Sequence, residues 1–232
     1  MKEKLRHLFF DLDHTLWDFE TNSRETLAEL FEEHQLHQFG LFDMDQFMGV
    51  YTGVNRGLWD QYNRGEVSKE VLRERRFRET FEKLGLENEH HPERFSDQYI
   101  ARCTEKPAVF PHAHEVLATL NERYSMSIIT NGFPESQHRK MKASNLHGYF
   151  DHLIISEEVG FAKPHSGIFE IALTRADVAK YEVVMIGDNL YADIEGANNA
   201  GIDAIWFNPH REKKPDAAIQ QIHGLNELLI ML

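Results

Sequence analysis

Cysteine is almost absent: Cys103 is the only one in 232 residues. An intramolecular disulfide is therefore impossible, and a cysteine-based zinc cluster is excluded. The residue reads as a plain intracellular thiol. Long apolar runs are also missing. No stretch approaches the ~20 residues that a membrane-spanning helix needs. The N-terminal "MKEKLRHLFFDLDHT" has basic residues, but its apolar run is too short for a secretory signal. The expectation is a cytoplasmic protein with no membrane partner. Positive charge is in deficit, with 25 Lys and Arg against 38 Asp and Glu and a formal net charge of −13. That argues against nucleic acid as a partner, which calls for a basic surface. It leaves small anionic substrates open, because they respond to the local field of a site. The chain is 41% hydrophobic and 27% charged, which fits a globular protein: one domain of ordinary size, or a core with a smaller insert.

Five short apolar runs are present and read as buried strands: "HLFF" (7–10), "MSIIT" (126–130), "HLIIS" (152–156), "VVMIG" (183–187) and "DAIWF" (203–207). Stretches of helical periodicity separate the last four. Alternating buried strands and helices predict an α/β protein with a parallel sheet covered on both faces. Such sheets bind ligands at the carboxyl ends of their strands. Asp11, Thr130, Asn131, Ser156 and Asp188 fall there.

Residues 17–104 contain no convincing strand and read as about four helices. In "NSRETLAELFEEHQ", Asn22 and Glu25 have the spacing of a capping box, and Leu27, Leu30, Phe31 and His34 share one helical face. In "SKEVLRERRFRETFEKLG", Ser68 is the expected cap and Gly85 the expected stop. This helical segment interrupts the α/β pattern after its first strand. The predicted organisation is a core of residues 1–16 and 105–232, with a helical cap over 17–104.

Four polar segments carry the chemistry. Asp11 and Asp13 end the first strand at i and i+2, which on an extended segment point the same way. Two such carboxylates repel unless a cation sits nearby, and Mg²⁺ takes oxygen ligands of this kind; a solvated strand end explains the pair equally well when it is taken alone. In "GDNLYAD", Asp188 ends another strand and Asp193 lies five residues on. In "TNGFPESQ", a hydroxyl, an amide and free backbone N–H groups of the Thr130–Asn131–Gly132 turn suit a phosphate. In "GFAKPHSG", Lys163 precedes Pro164, which restricts it to an extended conformation, and offers a point charge to phosphate.

In this order, Asp-x-Asp-x-Thr, Thr-Asn-Gly, Lys-Pro and Gly-Asp-x4-Asp resemble the haloacid dehalogenase superfamily of aspartate-nucleophile phosphohydrolases, over nearly the whole chain. The resemblance implies a doubly wound, Rossmann-like parallel sheet of about five strands with an inserted α-helical cap domain. It implies Asp11 as nucleophile and Asp13 as the acid and base that moves the proton. Thr130, Asn131 and Lys163 would hold the phosphoryl oxygens. Mg²⁺ would be held by Asp11, the backbone carbonyl of Asp13 and Asp188, with Asp193 behind them steadying Lys163 or a metal-bound water. Asp13 and Asp188 favour a phosphatase over a dehalogenase of this superfamily, which typically lacks the second acid and needs no metal. A phosphomutase shares all four motifs, and a non-catalytic binding module is the rival from another class. Two residues depart from the pattern. His14 adds a titratable ring inside the first motif, and His112 stands where a helix start of the family usually has glycine.

"TLWDF" and "TNGFPESQHRKM" resemble a bacterial subgroup of pyrimidine nucleoside 5'-monophosphate phosphatases, which implies a small phosphomonoester, a nucleotide, as the partner. In the cap, Asn55, Trp59 and Tyr62 fall on one helical face, near Tyr51 in sequence, as candidate contacts for the leaving group; aromatic rings can stack on a base, and plain cap packing explains them too. Sugar phosphates and phosphoglycolate are the alternative substrates. The oligomeric expectation is a monomer or a homodimer.

Overall fold

The computed structural model describes residues 5–213, 216 and 219–232. The first four residues, part of the basic start noted above, lie outside them. The apolar tetrapeptide His7–Phe10 forms β1, buried along its whole length. Helical structure follows: α1 (Phe19–Glu33), α2 (Met44–Asn63), α3 (Lys69–Lys83) and α4 (Phe95–Cys103). The chain then alternates through α5 (Ala113–Asn121), β2 (Ser125–Thr130), α6 (Pro134–Ala143), β3 (His152–Ile155), α7 (Ser156–Val159), α8 (Ser166–Ala176) and β4 (Val183–Gly187). A wide helical turn at Leu190–Glu195 leads into α9 (Gly196–Asn199), and β5 (Asp203–Phe207), β6 (Gln220–Ile222) and α10 (Leu228–Met231) complete the chain. Two compact units result, Glu20–Lys106 and the remainder of the described chain.

In the α/β unit all strands pair in parallel, in the order β3-β2-β1-β4-β5-β6. The doubly wound, Rossmann-like architecture agrees with the sequence reading; the sixth strand is the addition. Gln220–Ile222 is three residues long at the sheet edge, where pairing to one neighbour does not demand an apolar run. The central strand is apolar because both its faces are covered. Phe9 joins a cluster with Ile129, Ile168, Phe169 and Met185, and Phe10 meets the Phe150 ring at 6.1 Å. The winding direction reverses at β1, which lies between β2 and β4. Ligands of open α/β sheets bind outside the strand ends at such a reversal, and Asp11 is the first residue beyond β1.

The helical unit is held by aromatic side chains packed edge to face and at a tilt. Phe77 lies 4.9 Å from Phe95, and Phe47 lies 5.8 Å from Phe81. Cap chemistry sets the helix ends. Asp43 and Gln46 form a reciprocal capping box at α2, with bonds of 2.8 and 2.9 Å. Ser68 caps α3 through the Val71 N–H, and Gly85 follows that helix with φ +79°. Asn22 does not cap its helix. The chain becomes helical at Phe19, one turn earlier, which leaves Asn22 fully buried inside α1. Among the described residues no helix is long and apolar enough to cross a membrane.

Candidate active site

Asp11 continues the ladder one residue past β1, its N–H donating to the Ile186 carbonyl at 2.9 Å. Its carboxylate receives Lys163. The Lys163 ammonium donates to Asp11 Oδ1 at 2.5 Å and to the Ile129 carbonyl at 2.7 Å, and pairs ionically with Asp193 Oδ1 at 2.6 Å. Lys163 is 2% exposed, so its position is set by these contacts. Asn131 brackets the same residue. Its Nδ2 donates to the Lys163 carbonyl and its Oδ1 accepts the Lys163 N–H, both at 2.8 Å. The Asn131 amide thus faces the Lys163 backbone, where the sequence reading had it donating to phosphate. The Lys163–Pro164 peptide bond is cis.

Asp188 follows β4 and Asp193 turns back over the end of that strand. Gly187 makes this possible: a Cβ there would lie 2.3 Å from Asp193 Oδ2, so only glycine lets the carboxylate approach. Asp193 Oδ2 accepts the Asn189 N–H at 3.0 Å. Asp188 Oδ1 accepts the Thr15 hydroxyl at 3.1 Å, and its carbonyl accepts Trp206 Nε1 at 2.7 Å. Carboxylate oxygens of Asp11, Asp188 and Asp193 lie within 4.8 Å of one another. Burial raises Asp11 and Asp188 above the usual carboxylate range, and neighbouring carboxylates add to it. Lys163 itself is raised: its burial works the other way, but Asp11 and Asp193 outweigh it. Three acids facing one ammonium leave negative charge in excess. An all-oxygen donor set of this kind fits a hard divalent cation such as Mg²⁺.

Asp13 parts from Asp11. Its Oδ1 receives Lys140 Nζ at 2.6 Å and its Oδ2 receives Gln137 Nε2 at 2.8 Å. Burial opposes its ionisation, but the Lys140 charge and these two hydrogen bonds outweigh burial and hold the carboxyl below its usual range. The same Gln137 Nε2 donates to Thr130 Oγ1 at 2.6 Å, which also accepts the Gly132 N–H at 3.0 Å. With two bonds accepted, the Thr130 hydroxyl has its own proton left to donate.

Residues 5–201 match the profile of the haloacid dehalogenase-like hydrolases. The chain belongs to this family. It is 35% identical over 207 residues to the pyrimidine 5'-nucleotidase PynA of Streptococcus pneumoniae, covering 88% of this chain and 84% of that one. It is 33% identical over 228 residues to the pyrimidine 5'-nucleotidase YjjG of Escherichia coli, covering 96% of each. The magnesium-bound structure of the HAD-hydrolase YfnB from Bacillus subtilis superposes with a TM-score of 0.87 at 27% identity, over 99% of both chains.

As a haloacid dehalogenase-like hydrolase, the chain brings Asp11, Thr130, Lys163, Asp188 and Asp193 to the carboxyl ends of β1, β2 and β4 and the loops beyond them. Gln137 and Lys140 escaped the sequence reading although both stand in the quoted "TNGFPESQHRKM". Their spacing of three on a helix places them on one face. Thr15, the last residue of the first motif, was likewise given no contact of its own. The two histidine departures are conformational. His14 has φ 62° with its ring 4.7 Å from Phe19, and His112 has φ 66° at the start of α5, a left-handed position that glycine adopts without strain.

The candidate leaving-group residues all lie in the helical unit. Trp59 and Tyr62 meet edge to face at 5.5 Å and pack on Val54, Leu58 and Leu72. Asn55 is buried, and its Oδ1 has no hydrogen bond among the described residues.

Proposed function

We propose that this hydrolase cleaves phosphomonoesters through an aspartyl-phosphate on Asp11, and that its substrates are pyrimidine nucleoside 5'-monophosphates. The observation that carries the reaction type is the separation of the two acids of the first motif. Asp11 faces Lys163 and the acidic cluster, and Asp13 faces Gln137 and Lys140. Two carboxylates with different partners suit two different tasks.

Asp11 attacks phosphorus as the bond from phosphorus to the ester oxygen breaks, and Asp13 gives that oxygen its proton. Water then attacks the phosphoryl group, Asp13 takes its proton, and the bond to Asp11 breaks to release inorganic phosphate. Lys163 and the Thr130 hydroxyl offset charge on the phosphoryl oxygens. Asp11, Asp188 and the Asp13 carbonyl would hold a divalent cation, which supplies further positive charge beside those oxygens. Asp193 keeps Lys163 in place, as does Asn131. Residues 17–104 act as the cap that selects the leaving group, with Asn55, Trp59 and Tyr62 as its contacts. PynA and YjjG, both pyrimidine 5'-nucleotidases related to most of this chain, support the nucleotide assignment.

The test is phosphate release in Mg²⁺ from UMP, dUMP, dTMP, purine monophosphates, sugar phosphates and phosphoglycolate. Fastest release from the pyrimidine nucleotides supports the full reading. Preference for sugar phosphates or phosphoglycolate keeps the reaction and discards the substrate. Asp11→Asn should lower turnover at least about a thousandfold; near-normal activity in that variant would overturn the aspartyl-phosphate route.

A further inference from the structure

Arg76 brings a permanent charge into the helical unit. It is 5% exposed, and its Nε and Nη2 have no hydrogen bond among the described residues. What supports it is aromatic: the guanidinium lies 4.9 Å from the Tyr99 ring centre and 5.1 Å from that of Phe77. The Tyr99 ring is itself fixed, through a hydroxyl 2.7 Å from that of Tyr51 and 2.9 Å from that of Ser23. Neither phenol supplies a negative charge. Burial raises Tyr51 and Tyr99 above their usual range, and the opposing pull of Arg76 does not offset it. A buried cation with open donors calls for an acceptor.

Asn55 has the complementary need. It is 7% exposed, and its Oδ1 has no donor among the described residues. The two residues fall at one level of a helical hairpin, in which residues 64–68 join α2 to α3. On one side of them Leu58 clusters with Leu72. On the other, Tyr51 stacks on Phe77 with ring centres 5.4 Å apart. Asn55 lies between Tyr51 and Leu58 on α2, and Arg76 lies between Leu72 and Phe77 on α3. The half-buried Trp59 stands one turn from Asn55 and packs against the Leu58–Leu72 cluster.

We propose that Arg76 and Asn55 read the base of the nucleotide: Arg76 Nε and Nη2 donate to a ring carbonyl oxygen, and Asn55 Oδ1 accepts the adjacent ring N–H. The inference rests on the pyrimidine nucleotidase reading above and narrows it. Among the pyrimidines, uracil and thymine carry a carbonyl beside a ring N–H. Cytosine keeps the carbonyl, but its adjacent nitrogen holds a lone pair, which meets Asn55 Oδ1 as a second acceptor. The substrate class is therefore a uracil or thymine nucleoside 5'-monophosphate.

The test compares the parent with Arg76→Met and Asn55→Leu on UMP, CMP and ribose 5-phosphate in Mg²⁺. Ribose 5-phosphate offers the same kind of phosphoester without a base. The parent should favour UMP over CMP. Each variant should lose about 10–100-fold in kcat/KM on UMP and less than about threefold on ribose 5-phosphate. Asn55→Leu should also bring UMP within about threefold of CMP, whereas Arg76→Met should lower both nucleotides. Turnover of ribose 5-phosphate reports that each variant is folded. Equal losses on UMP and ribose 5-phosphate, no loss on UMP, or a parent that favours CMP would overturn the base-reading role, while the parent's preference for a pyrimidine nucleotide leaves the nucleotidase reading standing. A parent that favours ribose 5-phosphate over both nucleotides overturns that reading, and this inference with it.

Discussion

The two units bury their cations in opposite ways. At the strand ends of the α/β unit, the Lys163 ammonium is paired with two carboxylates and bonded to the Ile129 carbonyl, and both oxygens of Asp13 have a donor. In the helical unit, Ser23, Tyr51 and Tyr99 link their hydroxyls, with Tyr99 2.9 Å from Ser23 and 2.7 Å from Tyr51. Beside them Arg76 is 5% exposed, its guanidinium 4.9 Å from the Tyr99 ring centre and 5.1 Å from that of Phe77. Its Nε and Nη2 have no hydrogen bond among the described residues. A closed charge network is preorganised, because low dielectric strengthens each bond and fixes the others. A buried guanidinium with unspent donors is costly. The first arrangement holds reacting groups still; the second contributes little to holding the fold.

Single substitutions can break this contrast. Lys163→Met should have the largest effect, because it leaves Asp11 and Asp193 buried without their shared counter-charge. Losing one partner of a buried pair costs about 3–5 kcal/mol, so in chelator the melting midpoint should fall by about 10 °C. Turnover should fall about 10²–10³-fold. A midpoint equal to the parent's would mean that the carboxylates escape the penalty by taking up protons, and that the network is less rigid than its distances imply.

In the helical unit the same kind of deletion should cost less. Tyr99→Phe removes the hydroxyl shared by Ser23 and Tyr51 and leaves these two with only their mutual 3.4 Å bond, for about 1–3 kcal/mol. Arg76→Met keeps apolar contact with Phe77 and Tyr99 and removes the charge. Its expected midpoint is unchanged or up to about 4 °C higher. Calorimetry on both variants decides the point: a large drop for Arg76→Met would show that the guanidinium is as fully used as Lys163, and the contrast between the units would fail.

The outline of the α/β unit was legible because a central parallel strand must be apolar on both faces. The runs at 7–10 and 183–187 coincide with β1 and β4. β6 carried no such mark: "QQI" at a sheet edge needs no apolar pattern. Asp11 and Lys163 were singled out by the order of the four motifs, since neither segment taken alone excludes a solvated strand end or an ordinary loop. Lys140 was not. In a run of charged residues a lysine looks solvated, and only the tertiary position of Trp17 buries it. Asn22 misled for a related reason. Its type and spacing suit a cap, but the start of α1 was set by where the chain leaves the first motif. For Lys140 a local preference was overruled by a contact distant in sequence.

The smallest predicted effect concerns the opposite end of β1. His7 is buried at the start of the strand that Asp11 follows, with Nε2 2.8 Å from Ser127 Oγ and its ring 5.2 Å from Phe9. Among the described residues no lysine–carboxylate network surrounds it. Burial lowers its pKa to about 4; Asp151 pulls it upward and His152 downward. The unfolded chain takes up this proton near pH 6.5, whereas the folded chain does so only near pH 4. Between those values the unfolded state binds more protons, so the stability contributed by neutral His7 is complete above pH 6.5 and lost as pH falls toward 4. The loss is at most about 3 kcal/mol. His7→Gln keeps a polar group near Ser127 and cannot titrate. Denaturant midpoints of parent and variant, followed from pH 7 to pH 4, should diverge, with the parent losing more; the carboxylates titrate in both and cancel in the difference. Parallel curves would mean that His7 accepts its proton inside the fold, and that burial without a counter-charge is tolerated on β1 as readily as the paired charges at its other end.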